Sequence, residues 1–164
     1  MKRLLMAAVV LSVTGCATVP PLIQDEDVQS RTTLNAEYVV LVDTVKEFFD
    51  KEDIPVKTGE DNSGVIEAEE TKIPYEGFQY RSDYCDCGAP GGLYVYHEIL
   101  GKFKVFIKEE DENTTTIDID AAYRASLWRH KTFIGWVACQ SRGYMENKLI
   151  AYLHASLKKN KDDK

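Results

Sequence analysis

Apolar residues recur at helical spacing near the two ends of this chain and alternate with polar ones between. From Leu34 they fall at Leu34, Tyr38, Leu41, Val42, Val45, Phe48 and Phe49, the stripe of an amphipathic helix with one buried face. Thr33 is placed to cap its start, and Asn35, Glu37, Asp43, Lys46, Glu47 and Asp50 fill the opposite side. Asp53-Ile54-Pro55 ends it, because a residue before proline avoids the α region. Such a stripe would also suit a partner's groove, but a sheet follows at once and core packing is expected. A second helix is predicted over Gly143 to Leu157, with Met145, Leu149, Tyr152, Leu153 and Leu157 on one side. Glu146 in its first turn and Lys158 and Lys159 at its end suit the helix dipole, and the polar tail 159–164 is expected to fray.

Between the helices the period changes to two. Ile54 to Lys57 and Gly64 to Ile73 flank the polar turn Gly59 to Ser63, and Ile66 and Ala68 alternate with Glu67 and Glu69, so this region reads as a hairpin. Leu93 to Glu109 sets Phe103, Val105 and Ile107 against Lys102, Lys104 and Lys108, and Thr115 to Trp128 sets Ile117, Ile119 and Ala121 against Asp118 and Asp120. Joined by Asp111-Glu112-Asn113, these two runs predict a second antiparallel hairpin. Thr132 to Ala138 is apolar and reads as a loop or short strand. The expected order is α-β-β-β-β-α, an α+β fold with an antiparallel sheet of four or more strands and both helices on one face. A single domain over residues 33–158 accounts for the pattern.

The first residues are of another kind. Lys2 and Arg3 precede an apolar stretch from Leu4 to Val13, the form of an export signal over residues 1–15. That stretch is about half the roughly 20 residues a membrane-spanning helix needs. Val13-Thr14-Gly15-Cys16 resembles the bacterial lipoprotein box, which implies a diacylglyceryl group on the Cys16 thiol and cleavage before it. Ala17, rather than Asp, after the cysteine implies sorting to the outer membrane. Residues 16–32, with Pro20, Pro21 and the acids Asp25, Glu26 and Asp27, read as a flexible tether spanning roughly 20–24 Å.

Charge narrows the partners. The chain has 164 residues, with 20 basic and 27 acidic side chains for a formal charge of −7. Removing Lys2 and Arg3 with the signal leaves 18 − 27 = −9. Such a surface opposes sequence-independent nucleic-acid binding and attraction to anionic headgroups. The expected partners are therefore the membrane, through the lipid, and a protein of the cell envelope; the sequence leaves the oligomeric state open.

A helix ending before a hydrophobic-Pro-Val turn, the strand Gly64-Val65-Ile66-Glu67-Ala68-Glu69, a charged hairpin and the pattern Cys139-x-Ser141-x-Gly143-x-x-Glu146 together resemble the C-terminal domains of the BamC (NlpB) lipoproteins of the outer-membrane β-barrel assembly machinery. The resemblance spans about residues 33–158. It implies a helix-grip-like binding or scaffold domain with no catalytic residues and no cofactor, and it makes Ser141 an N-cap candidate.

Candidate chemistry centres on cysteine. With Cys16 assigned to lipid, an oxidising periplasm would leave Cys85, Cys87 and Cys139 to form one disulfide, from Cys139 to either Cys85 or Cys87. The alternative function is a metal-binding or thiol-redox protein. Its metal ligands would be Cys85, Cys87, Cys139 and His97, a set suited to Zn²⁺ or Cu(I), although Cys-x-Cys is shorter than the usual zinc spacing. A redox role needs an electropositive setting, which Asp83 and Asp86 oppose. No G-x-S-x-G elbow joins Ser141 to His130 or His154, so no enzyme is expected. Tyr75, Phe78, Tyr80, Tyr84, Tyr94 and Tyr96 crowd around the segment Gly88 to Gly92. Tyr80, Tyr84, Gly88, Gly91 and Gly92 are the candidate binding surface.

Overall fold

A computed structural model describes residues 28–57, 63–74 and 83–162. The signal, Cys16, most of the tether, most of the first hairpin's turn, and Tyr75, Phe78 and Tyr80 lie outside the described residues.

The order is β1 (Arg31–Leu34), α1 (Tyr38–Lys51), β2 (Val65–Glu67), β3 (Thr71–Ile73), β4 (Cys85–Asp86), β5 (Tyr94–Asp111), β6 (Thr114–Arg129), β7 (Thr132–Ser141) and α2 (Tyr144–Asp162). The strands form one seven-stranded antiparallel sheet with the long β5–β6 hairpin at its centre. Short strands line both edges of that hairpin. β2 and β3 lie along β5, while β1 and β7 lie along β6 and β4 pairs outward from β7. The α+β architecture and the second expected hairpin are present; of the first, residues 54–57 contribute only the isolated bridge of Val56 to Ala68, and the expected strand Gly64 to Ile73 is divided into β2 and β3, both paired with β5.

Two helix boundaries differ from expectation. Thr33 and Leu34 lie in β1, so the helix begins after Glu37 instead of Thr33. Leu34 still reaches the core, and Arg31 and Thr32, assigned above to the tether, pair with Asp118 and Ile117. An apolar residue one helical turn ahead of a stripe extends it on paper whether it lies in helix or strand, so the spacing alone could not separate them. At the other end α2 continues to Asp162, through the Lys-rich segment expected to fray.

The end of α1 shows why the chain turns there. Asp53 adopts φ 55°, its N–H donates to Asp50 O, and the Ile54 N–H donates to Phe49 O at 2.9 Å. This is the paired hydrogen-bond arrangement that satisfies the last carbonyls of a helix. Glycine takes that left-handed position without the clash a Cβ makes with the backbone. Asp53→Gly should therefore raise stability by about 1 kcal/mol, read as a higher midpoint of urea unfolding with an unchanged slope.

Both helices cover one face of the sheet. Leu41, Val45, Phe48 and Phe49 from α1 and Leu149 and Leu153 from α2 meet Ile99, Phe103, Val105, Ile117 and Ile119 from the central hairpin, all almost wholly buried. Phe48 packs on Tyr152 with ring centroids 5.5 Å apart, and Lys148 pairs with Glu52 across the helices. A β-carbon on Gly101 would lie 2.8 Å from Ile73 and 2.9 Å from Phe103, so its hydrogen makes room for the aromatic ring.

Candidate functional site: three sulfurs and an open aromatic face

β4 is only two residues long, yet it gathers the chain's chemistry. Cys85 pairs in register with Ser141 and Asp86 with Gln140, so the next residue, Cys87, arrives beside Cys139 with a Cα–Cα distance of 4.1 Å. Cys87 and Cys139 form a disulfide across 52 residues of sequence. This resolves the open choice of pairing. Cys85 remains a thiol, wholly buried, with its Sγ 3.9 Å from the Cys87 Sγ. All three sulfurs lie within 4.8 Å of one another. The period-two geometry of a strand explains the convergence: residues 85 and 87 project to the same face, as do 139 and 141 on β7.

His97 does not join them, contrary to the four-ligand metal reading. It lies in the bulge between Tyr96 and Ile99 on β5, and its ring packs 4.9 Å from Trp128 on the far side of the sheet. Tyr96 reaches the sulfur side, where its hydroxyl donates to the Cys87 carbonyl at 2.9 Å.

Beside the sulfurs, α2 begins. The Gly143 carbonyl accepts the first helical hydrogen bond, from Asn147, so Gly143 occupies the cap position and Ser141 stands two residues ahead of it. Ser141 Oγ nonetheless accepts from the Gly143 N–H at 3.1 Å and donates to Glu146 Oε1 at 2.6 Å. Glu146 is 2% exposed and its other oxygen has no hydrogen-bond partner among the described residues; the same holds for the Tyr123 hydroxyl. Burial pushes the Glu146 carboxyl above its ordinary value, against the hydrogen bond from Ser141, and burial followed by the Glu146 charge pushes the Tyr123 phenol up. The folded state therefore holds a proton on Glu146 that the unfolded chain releases near the ordinary carboxyl range. Stability is lost as pH rises from there through the raised folded value. Glu146→Gln should be more stable than the parent at pH 7 and should lack that decline. Parallel stability curves from pH 4 to pH 8 would contradict it.

Exposed His130 in the β6–β7 turn and exposed His154 on α2 are separate from this cluster, and Ser141 is engaged with Glu146. The arrangement does not provide a serine nucleophile with an imidazole base.

The segment expected to bind is divided. Gly91 and Gly92 are exposed with positive φ, and Gly88 also has positive φ, its N–H donating to Asp86. Tyr84 is half-buried with its ring 4.4 Å from Tyr144 of α2, so packing occupies it. Burial beside Tyr144 raises its phenol above the ordinary value.

The sheet face away from the helices carries a second candidate surface, missed by the sequence reading. Trp128, Phe133 and Trp136 form successive edge-on ring contacts of 5.5 and 5.9 Å. The Arg124 guanidinium lies 4.4 Å from the Trp136 ring and pairs with Glu70. Phe133 and Trp136 are three residues apart and would face opposite ways in a regular strand. A bulge at Ile134, where Trp128 pairs with Phe133 and Leu127 with Gly135, returns them to one face. Phe133, Ile134 and Trp136 are 44%, 51% and 40% exposed. The break in alternation at Phe133-x-x-Trp136 was the available sequence signal.

Farther along this face the chemistry changes to charge. Glu67 is held by Lys57 at 2.6 Å, Lys102 at 2.9 Å and Lys104 at 3.6 Å. The hydrogen bonds from Lys57 and then Lys102 bring its carboxyl down to about 2. A shallow cleft of about 510 Å³ between the two regions is lined by Lys57, Glu70, Lys102, Ala122, Tyr123 and Arg124. Among the described residues no helix is long and apolar enough to cross a membrane. No family model matches the chain, and no curated protein matches it.

Proposed function

We propose that this protein is a non-enzymatic lipoprotein of the bacterial outer membrane, held by lipid on Cys16, whose periplasmic domain binds an envelope protein through the open face of its sheet. The anchor reading is supported by Lys2-Arg3, the apolar stretch Leu4 to Val13 and the box Val13-Thr14-Gly15-Cys16. The observation that carries the binding reading is the unequal treatment of the two sheet faces. One is covered by both helices, whereas the other exposes Phe133, Ile134 and Trp136 beside the Arg124–Glu70 pair. Clustered aromatics and arginine are the residue types enriched at protein interfaces. The resemblance of residues 33–158 to BamC-type domains is in keeping with a scaffold role.

Two measurements test the proposal in the exporting bacterium. Intact mass should show acylation at Cys16, and Cys16→Ser should shift the protein from the outer membrane to the soluble periplasm. A photo-crosslinking side chain at position 136 should give one discrete adduct in the envelope, while the same group at position 108, at the charged end of the face, should give none. An unacylated wild-type protein would overturn the anchor. Equal crosslinking at the two positions, or none at 136, would overturn the binding face.

A further inference from the structure

We infer that Cys85, Cys87 and Cys139 form a thiol–disulfide exchange site, in which the staple moves between Cys87–Cys139 and Cys85–Cys139. The inference rests on the buried Cys85 thiol, 3.9 Å from one sulfur of the Cys87–Cys139 disulfide and within 4.8 Å of the other. Exchange requires a thiolate to reach a disulfide sulfur. Here all three sulfurs occupy one face of a two-strand pairing in which Cys85 is the diagonal neighbour of Cys139, so closing the second staple takes a backbone shift of β4 along β7 as well as side-chain rotation.

In the step, Cys85 loses its proton and its sulfur attacks Cys139 Sγ. The Cys85–Cys139 bond forms as the Cys87–Cys139 bond breaks, and the departing Cys87 thiolate takes up a proton. One disulfide and one thiol are present before and after, so neither an oxidant nor a reductant is consumed. The staple moves from directly opposite Cys139 to the diagonal neighbour. The thiol moves from Cys85, in β4, to Cys87, which adjoins the segment containing exposed Gly91 and Gly92. Cys87 is itself only 5% exposed, so the thiol stays inside the protein in both arrangements and moves two residues closer to that segment.

Burial disfavours the Cys85 thiolate, Asp86 adjoins it in β4, and the Tyr123 phenol of β6 interacts with it electrostatically without supplying positive charge, so exchange should be slow at pH 7 and faster near pH 9. This distinguishes the site from an oxidoreductase with a lowered thiol pKa. It also accounts for a third sulfur beside a complete disulfide without invoking a metal.

Disulfide mapping of the exported full-length protein tests the inference. Samples are quenched in acid and alkylated, and cleavage before Asp86 separates Cys85 from Cys87. Cys85→Ser should retain the Cys87–Cys139 bond. Cys87→Ser should contain a Cys85–Cys139 bond in nearly every molecule and no alkylatable thiol in the domain. In wild type, fragments joining Cys85 to Cys139 should appear on incubation at pH 9 and accumulate more slowly at pH 7. A folded Cys87→Ser protein with two alkylatable thiols, under conditions in which Cys85→Ser is fully bridged, overturns the inference. If Cys87→Ser does not fold, absence of the Cys85–Cys139 fragment from wild type at pH 9 overturns it.

Discussion

Cys139→Ser is expected to lower the free energy of unfolding by about 4 kcal/mol, because it removes the sulfur common to both staple arrangements. The disulfide closes a 52-residue span, and in the chain-entropy account a loop of about that length restricts the unfolded ensemble by that amount. Native contacts give little compensation at β4, which has two residues and pairs with β7 alone. The loss should shift the thermal midpoint by on the order of 10 °C. Denaturant unfolding of wild type and variant, each with and without reductant, provides the check. Reduced wild type should approach the variant, and reductant should leave the variant nearly unchanged. A difference below about 1 kcal/mol would show that the staple contributes little to the native fold.

Phe103→Ala should cost about 3–5 kcal/mol, whereas Phe106→Ala, three residues farther along the same strand, should change stability by less than about 0.5 kcal/mol. Phe103 is 1% exposed and lies between Phe49 of α1 at 6.4 Å and Tyr123 of β6 at 5.8 Å. Its removal leaves a cavity where helix and sheet meet, and rigid neighbours on both sides limit collapse. Phe106 is 43% exposed on the open face, opposite Asp118. The pair tests the register of β5, since a one-residue slip would exchange the faces of the strand. Comparable losses at both positions, measured by urea unfolding, would reject the register.

Legibility followed the range of the forces involved. Period-two alternation set Phe103, Val105 and Ile107 against Lys102, Lys104 and Lys108, and the described strand buries the first group. The same rule failed where one extra residue changes the phase. At His97-Glu98 the inward positions pass from Tyr96 to Ile99, and at Ile134 the outward positions pass from Phe133 to Trp136. A bulge keeps the composition of a strand while reversing its faces, so periodicity summed across it hides the aromatic strip. β1 was missed because four residues with one buried position carry too little pattern to distinguish strand from tether.

The site shows the same division. Spacing alone supplied the two candidate partners for Cys139, but choosing Cys87 required the β4–β7 register, a contact between segments about fifty residues apart. His97 shared a ligand chemistry with the cysteines and was separated from them by the thickness of the sheet, which composition does not encode. By itself the sequence determined the α+β class, the two helices, the central β5–β6 hairpin and the inward residues of each regular stretch, because these follow from local turns and from burial of apolar side chains. Only the tertiary structure decided which cysteine closes the staple, that a third sulfur lies 3.9 Å away, and which sheet face the helices leave uncovered among the described residues. Those outcomes depend on register, bulges and helix placement, and a shift of one residue in any of them moves a side chain to the opposite face.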